Sequence, residues 1–230
     1  MSHFLSSESG AVTVDWVVLT AAAVGLGLAT MTVVSGGVED QSNDIRDTMT
    51  GIEIMTAFDK LFSETDFSDG RGDWSGGELI NFGGFGDILA LSRNAPTADL
   101  PINVDSSYRY AVVEFDMVFG DSWDGEQGSI SLNGEDIAVG DFNWQSGEPV
   151  ITTFEGDADT TVTLTRASTG TGSGSGRWQR QNDYTYSVRV VAANDGTPMQ
   201  LGAATTLNSG TNDEFFGIDN VRVSGSTQSD

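Results

Sequence analysis

The sequence contains no cysteine, a single histidine, and only 10 lysines and arginines against 34 aspartates and glutamates. Without cysteine there are no disulfides, no thiolate metal sites and no cysteine catalysis. The formal net charge of −24 repels nucleic acid and anionic membrane surfaces, which excludes DNA and RNA as partners.

Recognisable catalytic patterns are also missing. The one histidine, His3, lies within the first ten residues, and the sequence has no Gly-x-Ser-x-Gly elbow, phosphate-binding loop or histidine-rich zinc pattern. Paired carboxylates can hydrolyse glycosides, but no pair stands out among the many acidic residues. We therefore predict that the chain is not an enzyme, and a glycoside-active enzyme is the last of three alternatives.

What the sequence does contain is an apolar run near its N-terminus. Val17 to Val34 carries no charge, and about 18 such residues are long enough to cross a bilayer as a helix. Asp15 stands at the head of this run, where an unpaired carboxylate is unfavourable and is a functional candidate by default. After Gly36-Gly37, which we expect to break or bend the helix, apolar residues recur every three or four positions as far as Phe62. The pattern predicts a membrane helix and stalk over residues 11–62.

The run has three interpretations. It is a poor signal peptide, because no basic residue precedes it and it is longer than the usual apolar region. It is an adequate plain membrane anchor, in which Asp15 merely caps the N-terminus of the helix. The third interpretation takes account of the order of residues, with Gly10 and Ala11 followed by acidic Asp15, aromatic Trp16 and then the apolar helix.

This order resembles the processing region of type IV prepilins, in particular the Flp pilins of tight-adherence (Tad) systems, over about the first 40 residues. That family usually has Glu-Tyr where this chain has Asp15-Trp16. The resemblance implies that a prepilin peptidase cuts between Gly10 and Ala11 and removes residues 1–10 as a leader. Asp15 and Trp16 would then serve assembly with other pilin subunits, because the new ammonium of Ala11 can pair with the Asp15 carboxylate of a neighbour in an apolar setting.

From residue 63 onward, glycine, aspartate, serine and threonine are abundant and apolar residues alternate with polar ones. This pattern predicts strands at Tyr110–Phe119, Ser129–Leu132, Asp136–Val139, Thr161–Thr165 and Tyr184–Val191. Asn133-Gly134 is a strong signal for a tight hairpin turn between the second and third of these strands. The predicted fold class is therefore α+β, a long N-terminal helix followed by an antiparallel β-sandwich.

Two segments of this second region carry a further resemblance. DSWDGE, residues 121–126, and LNSGTNDEFFGIDNVRV, residues 207–223, look like parts of the jelly-roll, lectin-like modules of bacterial surface proteins. The resemblance implies a jelly-roll head over residues 63–230, in which the terminal GIDNV strand pairs with a first strand inside residues 63–74. A glycan or other surface ligand is a possible partner. Four tryptophans either present flat faces to sugar rings or fill the core, with the core favoured: Trp74, Trp123, Trp144 and Trp178.

Acidic clusters make calcium a possible structural cofactor, since Ca²⁺ takes six to eight oxygen ligands. The first cluster comprises Glu64, Asp66, Asp69 and Asp73, with Asp219 from the terminal strand, and the resembled modules commonly bind calcium where these two ends meet. The second cluster comprises Asp121, Asp124 and Glu126. The alternative for both clusters is a set of solvated carboxylates in turns.

These expectations combine into a pilin-like surface subunit, minor or decorated because a head of this size is large for a major Flp pilin. It would reside in the bacterial inner membrane as a precursor and then in an extracellular pilus or at the cell surface. The head would be adhesive, with calcium as the candidate structural cofactor. The alternative is a lectin-like carbohydrate-binding protein held in the membrane by an uncut helix.

Overall fold

The computed structural model describes residues 8–51, 59–154, 156, 159–169 and 183–229. Within the N-terminal helix, side chains are described for residues 16–38 and 41, and those of residues 168–169 are not described. The chain forms two compact units, Met1–Ile54 and Met55–Asp230. The first contains one helix and the second contains all the strands, which confirms the α+β prediction.

The helix, α1, spans Glu8–Gly51 and is 44 residues long, about 66 Å at 1.5 Å per residue. The expected break at Gly36-Gly37 was wrong, because α1 continues through both glycines. A glycine costs a helix only about 1 kcal/mol relative to alanine. Two glycines between well-formed turns therefore weaken the helix without ending it.

The prediction also extended the stalk helix too far, to Phe62. Leu61 and Phe62 lie in the first strand, β1, which spans Lys60–Thr65, and residues 52–58 lie outside the described part. The Phe62 ring packs edge-on against Tyr108 at 5.7 Å between centroids, and Leu61 pairs with Ser224. These partners, distant in sequence, favour a strand over the helical pattern.

The remaining strands are β2 Ser75–Gly76, β3 Glu78–Asn81, β4 Asp87–Leu91, β5 Thr97–Ile102, β6 Tyr110–Asp121, β7 Asp124–Leu132, β8 Glu135–Asn143, β9 Val150–Thr153, β10 Thr160–Thr169, β11 Tyr184–Ala193, β12 Met199–Thr205 and β13 Glu214–Ser226. They form two sheets in a sandwich-like arrangement. The first sheet has the order β10-β11-β6-β13-β4-β3, with β1 also paired to β13, and the second has the order β2-β5-β12-β7-β8-β9. Every pairing described is antiparallel.

The central strand β6 shows why the two sheets pack together. Its alternate residues point into one hydrophobic core, namely Ala111, Val113, Phe115, Met117 and Phe119. On the opposite face, Glu114 and Asp116 are half-buried, while Val118 joins a smaller cluster with Phe215. Glu114 and Asp116, in the middle of this opposite face, lie beside the candidate site described below.

Each predicted strand lies within an observed one, and the hairpin turn joins β7 to β8 with positive φ at Asn133 (53°) and Gly134 (85°), as the predicted turn requires. The terminal strand pairs with the first strand, as predicted in outline, with Thr65 opposite Val221 and Glu64 opposite Arg222. The predicted position was wrong in part: β1 begins at Lys60, before residues 63–74, and of the GIDNV segment only Val221 pairs with it.

Candidate functional site

The apolar part of α1 is exposed. Trp16–Val38 is the one described segment of 23 residues that is long and apolar enough to cross a membrane, and none of it is buried within the protein. Its threonine hydroxyls donate to carbonyls one turn back, from Thr20 to Trp16 (2.8 Å) and from Thr32 to Leu28 (2.9 Å). The surface of this segment therefore shows few unpaired polar groups, as a lipid or helix-packing environment requires.

The predicted processing and assembly residues all lie in α1. Gly10 and Ala11 fall within its first turns, and Trp16 is exposed. Asp15 lies in the same helix, but its side chain is outside the described residues. The pairing predicted for this carboxylate therefore stays a prediction.

In the head, β1 and β13 meet beside a groove of about 570 Å³. Its lining is mainly polar and includes three carboxylates, formed by Glu64, Thr65, Asp66, Ser68, Asp69, Asn220, Val221 and Arg222. We call this the β1–β13 groove. The fold thus brings together three carboxylates of the first predicted calcium cluster, Glu64, Asp66 and Asp69, although Asp73 does not line the groove.

Asp219 lies next to the groove but beneath its surface. The β13 ladder is irregular between Asp219 and Arg222, and Asn220 adopts a left-handed backbone with φ of 49°. The Asp219 carboxylate is 3% exposed and accepts hydrogen bonds from the Asn220 amide (2.8 Å) and side chain (3.4 Å). Burial raises its pKa to about 6, with the nearby carboxylates of Asp116 and Asp66 adding to the rise.

Asp66 faces solvent and is occupied by its own turn. Its Oδ1 accepts hydrogen bonds from the Ser68 hydroxyl (2.6 Å) and amide (3.0 Å), and these bonds lower its pKa. Throughout the described part of the chain, no three acidic or histidine side chains are placed to hold one metal ion. The first cluster is therefore gathered around a groove without forming a ready-made calcium site.

The polar surface extends from this groove across the outer face of the first sheet. Asn220 donates to Asp116 Oδ2 (2.9 Å), and Ser187 donates to Asp116 Oδ1 (2.8 Å). A second cavity of about 270 Å³ adjoins them, lined by Glu114, Phe115, Asp116, Thr163, Thr165, Ser187, Val188, Arg189 and Asn220. Sequence reasoning missed this face, although the alternating Glu114 and Asp116 within an apolar strand were a usable signal.

The second predicted calcium cluster is not brought together on one ion. Asp121 is buried, with a positive φ of 64°, and its amide donates to Asp183 Oδ1 (3.0 Å). Asp124 is exposed, while Glu126 is buried and accepts a hydrogen bond from the Asp124 amide (2.8 Å). The three side chains therefore lie in different environments along the β6–β7 connection.

Glu126 instead belongs to a network with Glu214, which the sequence did not single out. Asn208 Nδ2 donates to Glu126 Oε1, while Glu214 Oε1 accepts from the amides of Asn208 (3.2 Å) and Ser209 (3.0 Å). Burial, followed by repulsion from Glu126, raises the pKa of Glu214 to about 7. We call Glu126 and Glu214 the buried glutamate pair, which ties the start of β13 to the start of β7.

The aromatic side chains do not form a sugar-binding platform among the described residues. Trp74 and Trp123 are buried in the core, Trp144 packs against it, and Trp178 lies outside the described part. Trp123 also donates from Nε1 to the carbonyls of Gly120 and Phe215, both at 3.1 Å. For the three described tryptophans the core interpretation is confirmed.

Comparisons with protein-family models, with curated proteins and with solved structures found no match to this chain. Any assignment of function therefore depends on the residues and geometry described above.

Proposed function

We propose that this protein is a pilin-like surface subunit of the tight-adherence type, held in the inner membrane and then assembled through α1. The observation that carries the proposal is the unburied apolar segment Trp16–Val38. In the sequence, Gly10, Ala11 and Asp15 precede it in the order that prepilins show. The β-sandwich head is displayed outside the cell.

The exposed apolar segment needs an apolar environment. As a helix, its 23 residues extend about 34 Å, close to the roughly 30 Å of a bilayer's hydrocarbon core. Leaving this surface in water opposes the hydrophobic effect along its whole length. Lipid before assembly and neighbouring helices after assembly both provide an apolar environment.

The residues before the segment favour a processed subunit over a plain anchor. Cleavage after Gly10 places an ammonium on Ala11, four residues from Asp15, in a setting where an unpaired charge is strongly disfavoured. A neighbouring subunit that offers its ammonium to Asp15 satisfies both charges. This pairing links processing to assembly.

The head supports an adhesive role through its polar outer face. Carboxylates, amides and hydroxyls line the β1–β13 groove and the cavity beside it. Such a surface suits a hydroxyl-rich ligand such as a glycan, bound through hydrogen bonds rather than by stacking on the described tryptophans. Calcium remains a proposed structural aid at this groove.

The mature N-terminus provides the test. Intact mass of the protein from its native host is expected to show a chain beginning at Ala11, and Gly10→Ala is expected to block most of this cleavage. A chain that keeps residues 1–10, or one cut beyond α1's apolar segment, would contradict the pilin assignment. Retention of residues 1–10 would instead favour the membrane-anchored lectin.

Asp15→Asn separates assembly from anchoring, since it retains the size of the side chain and removes its charge. The variant is expected to remain in the membrane fraction but to be depleted from sheared filaments. Recovery at the wild-type level would mean that Asp15 only caps the helix.

A further inference from the structure

One side of the head ends in two outermost strands that follow each other in the chain. Among the described residues, β10 ends the first sheet and β9 ends the second. Arg166 of β10 forms an ion pair with Glu148, two residues before β9, at 2.8 Å, so both strands lie on the same side of the sandwich. We call this the β9–β10 side.

This side lacks the protection that the opposite strands show. There the outermost strands β2 and β3 have two and four residues, and β3 carries Glu78. By contrast, β10 has ten residues, half of them threonine, and its one charged side chain is the already paired Arg166. Natural edge strands are usually short or charged because a long uncharged edge is a template for another strand.

The same side exposes apolar side chains. Among the described head residues, the large hydrophobic side chains that are exposed are Leu61, Leu79, Val150 and Phe154. Val150 of β9 has the greatest exposure of the four, at 67%, and Phe154, directly after β9, is 44% exposed. An exposed apolar group beside an unprotected edge is typical of an interaction surface.

Charge indicates what this surface contacts. The chain carries a net charge of −24, so two copies repel each other over most of their surface. Neither β9 nor β10 contains an aspartate or glutamate. In the sequence, the acidic residues Glu155, Asp157 and Asp159 all come before β10, and Glu148 is paired with Arg166. The strand β10 itself therefore brings no negative charge to a contact between two copies, and the acidic residues are confined to one end of it.

The charges at the ends of β10 specify the direction of pairing. Asp159 immediately precedes the strand and Arg166 lies towards its other end. Antiparallel pairing about a two-fold axis at Thr163 places Arg166 opposite Thr160 of the second copy, next to Asp159 of that copy. Parallel pairing would bring like charges together instead.

We propose that β10 pairs antiparallel with β10 of a second copy of this chain, about a two-fold axis at Thr163, and joins two heads. The first sheet then continues from one head into the other, and main-chain hydrogen bonds provide the attraction. A single edge strand makes a weak contact in dilute solution. Anchoring in one membrane or filament raises the effective concentration of heads and favours pairing.

Cysteine cross-linking of the full chain in detergent micelles tests this arrangement, because the natural chain has no cysteine. Thr163→Cys is expected to form a disulfide-linked dimer on mild oxidation, since residues directly opposite in a sheet have Cβ atoms about 5 Å apart. Thr161→Cys and Thr165→Cys are expected to cross-link when mixed but hardly at all when separate. The matched control is Thr97→Cys, on an exposed position of the interior strand β5.

Two further measurements complete the test. Adding salt is expected to increase Thr163→Cys cross-linking by screening the acidic surfaces, and adding Arg166→Glu is expected to decrease it several-fold. If Thr163→Cys cross-links no more than Thr97→Cys, the proposal is overturned, whether β10 then meets solvent or a different protein. The contact does not depend on cleavage after Gly10, so its failure would leave the proposed function untouched.

Discussion

Two buried carboxyls lie five residues apart on β13 and differ in what surrounds them. Glu214 is enclosed with Glu126 and Asn208, whereas Asp219 lies beside the β1–β13 groove, near the carboxylates of Asp116 and Asp66. Both residues are 3% exposed, and burial is the leading cause of the raised pKa at both positions. The difference lies in their neighbours: Glu214 belongs to a network inside the protein, whereas Asp219 borders the residues that line a groove.

The largest effect is expected from removing the aromatic support of the enclosed site. Trp123→Ala is expected to lower the free energy of unfolding by about 3–5 kcal/mol, because it leaves a cavity and two carbonyls without their donor. Urea unfolding of the full chain in micelles measures this loss. Trp144→Ala, at a half-buried position, is the matched control. An equal loss of stability there would contradict the larger role that we assign to Trp123.

Next in size is the pH dependence caused by Glu214. The folded chain retains a proton up to pH about 7, while the unfolded chain releases it near the ordinary value of 4.5. Stability therefore falls as pH rises between these values, by on the order of 2 kcal/mol after allowing for solvent screening. Glu214→Gln is expected to remove most of this fall in unfolding experiments from pH 4 to 8.

The control for that experiment is Glu135→Gln, which removes the same charge from the exposed first residue of β8. It is expected to leave the slope of stability against pH unchanged. A wild-type slope in Glu214→Gln would show that the buried glutamate pair is already solvated.

A smaller effect at lower pH is expected from Asp219. Its pKa rises from 3.8 to about 6, so the folded chain again holds the proton longer, and stability falls between these two values. Because the rise in pKa is smaller at Asp219 than at Glu214, and Asp219 borders the residues that line the groove, we expect a loss on the order of 1 kcal/mol. Asp219→Asn should flatten the curve below pH 6 and leave the Glu214 part intact, and a change confined to pH above 6 would contradict this assignment.

The smallest effect is expected from calcium at the β1–β13 groove. Carboxylates line the groove without forming a ready-made site, so calcium near its dissociation constant is expected to add about 0.4 kcal/mol, or about 1 °C in Tm. Scanning calorimetry in calcium and in EGTA at matched ionic strength measures the difference. Asp66→Asn is expected to abolish it and Asp124→Asn to leave it, and identical Tm values in both buffers would rule out calcium stabilisation.

Much of the fold was predictable because it is written in local patterns. The uncharged run from Val17 to Val34 predicted the helix, the alternation in Tyr110–Phe119 predicted β6, and Asn133-Gly134 predicted a turn that needs two positive φ angles. The small strands β2 to β5 were not predicted, because each is short, and β2, β4 and β5 obtain partners from distant parts of the chain. Leu61 and Phe62 were assigned to a helix for the same reason.

The candidate sites were less predictable than the fold. Sequence alone grouped Asp121, Asp124 and Glu126 by proximity, yet the strand geometry buries two of them and exposes the third. Sequence reasoning overlooked Glu214. Its partner Glu126 is distant in the chain, and the two are connected by hydrogen bonds to Asn208. No local pattern distinguishes a solvated carboxylate from a buried one in so acidic a chain.

By itself the sequence determined the division into an apolar helix and an acidic β-sandwich, because helical and strand periodicities and turn chemistry are properties of neighbouring residues. Only the tertiary structure decided which carboxyls became buried on β13, which polar residues formed the groove, and which strands became outermost. These outcomes depend on pairings between residues far apart in the chain, such as Glu64 with Arg222 and Glu214 with Asp121. Such pairings determine how deeply each carboxyl is buried, and burial in turn shifts its pKa.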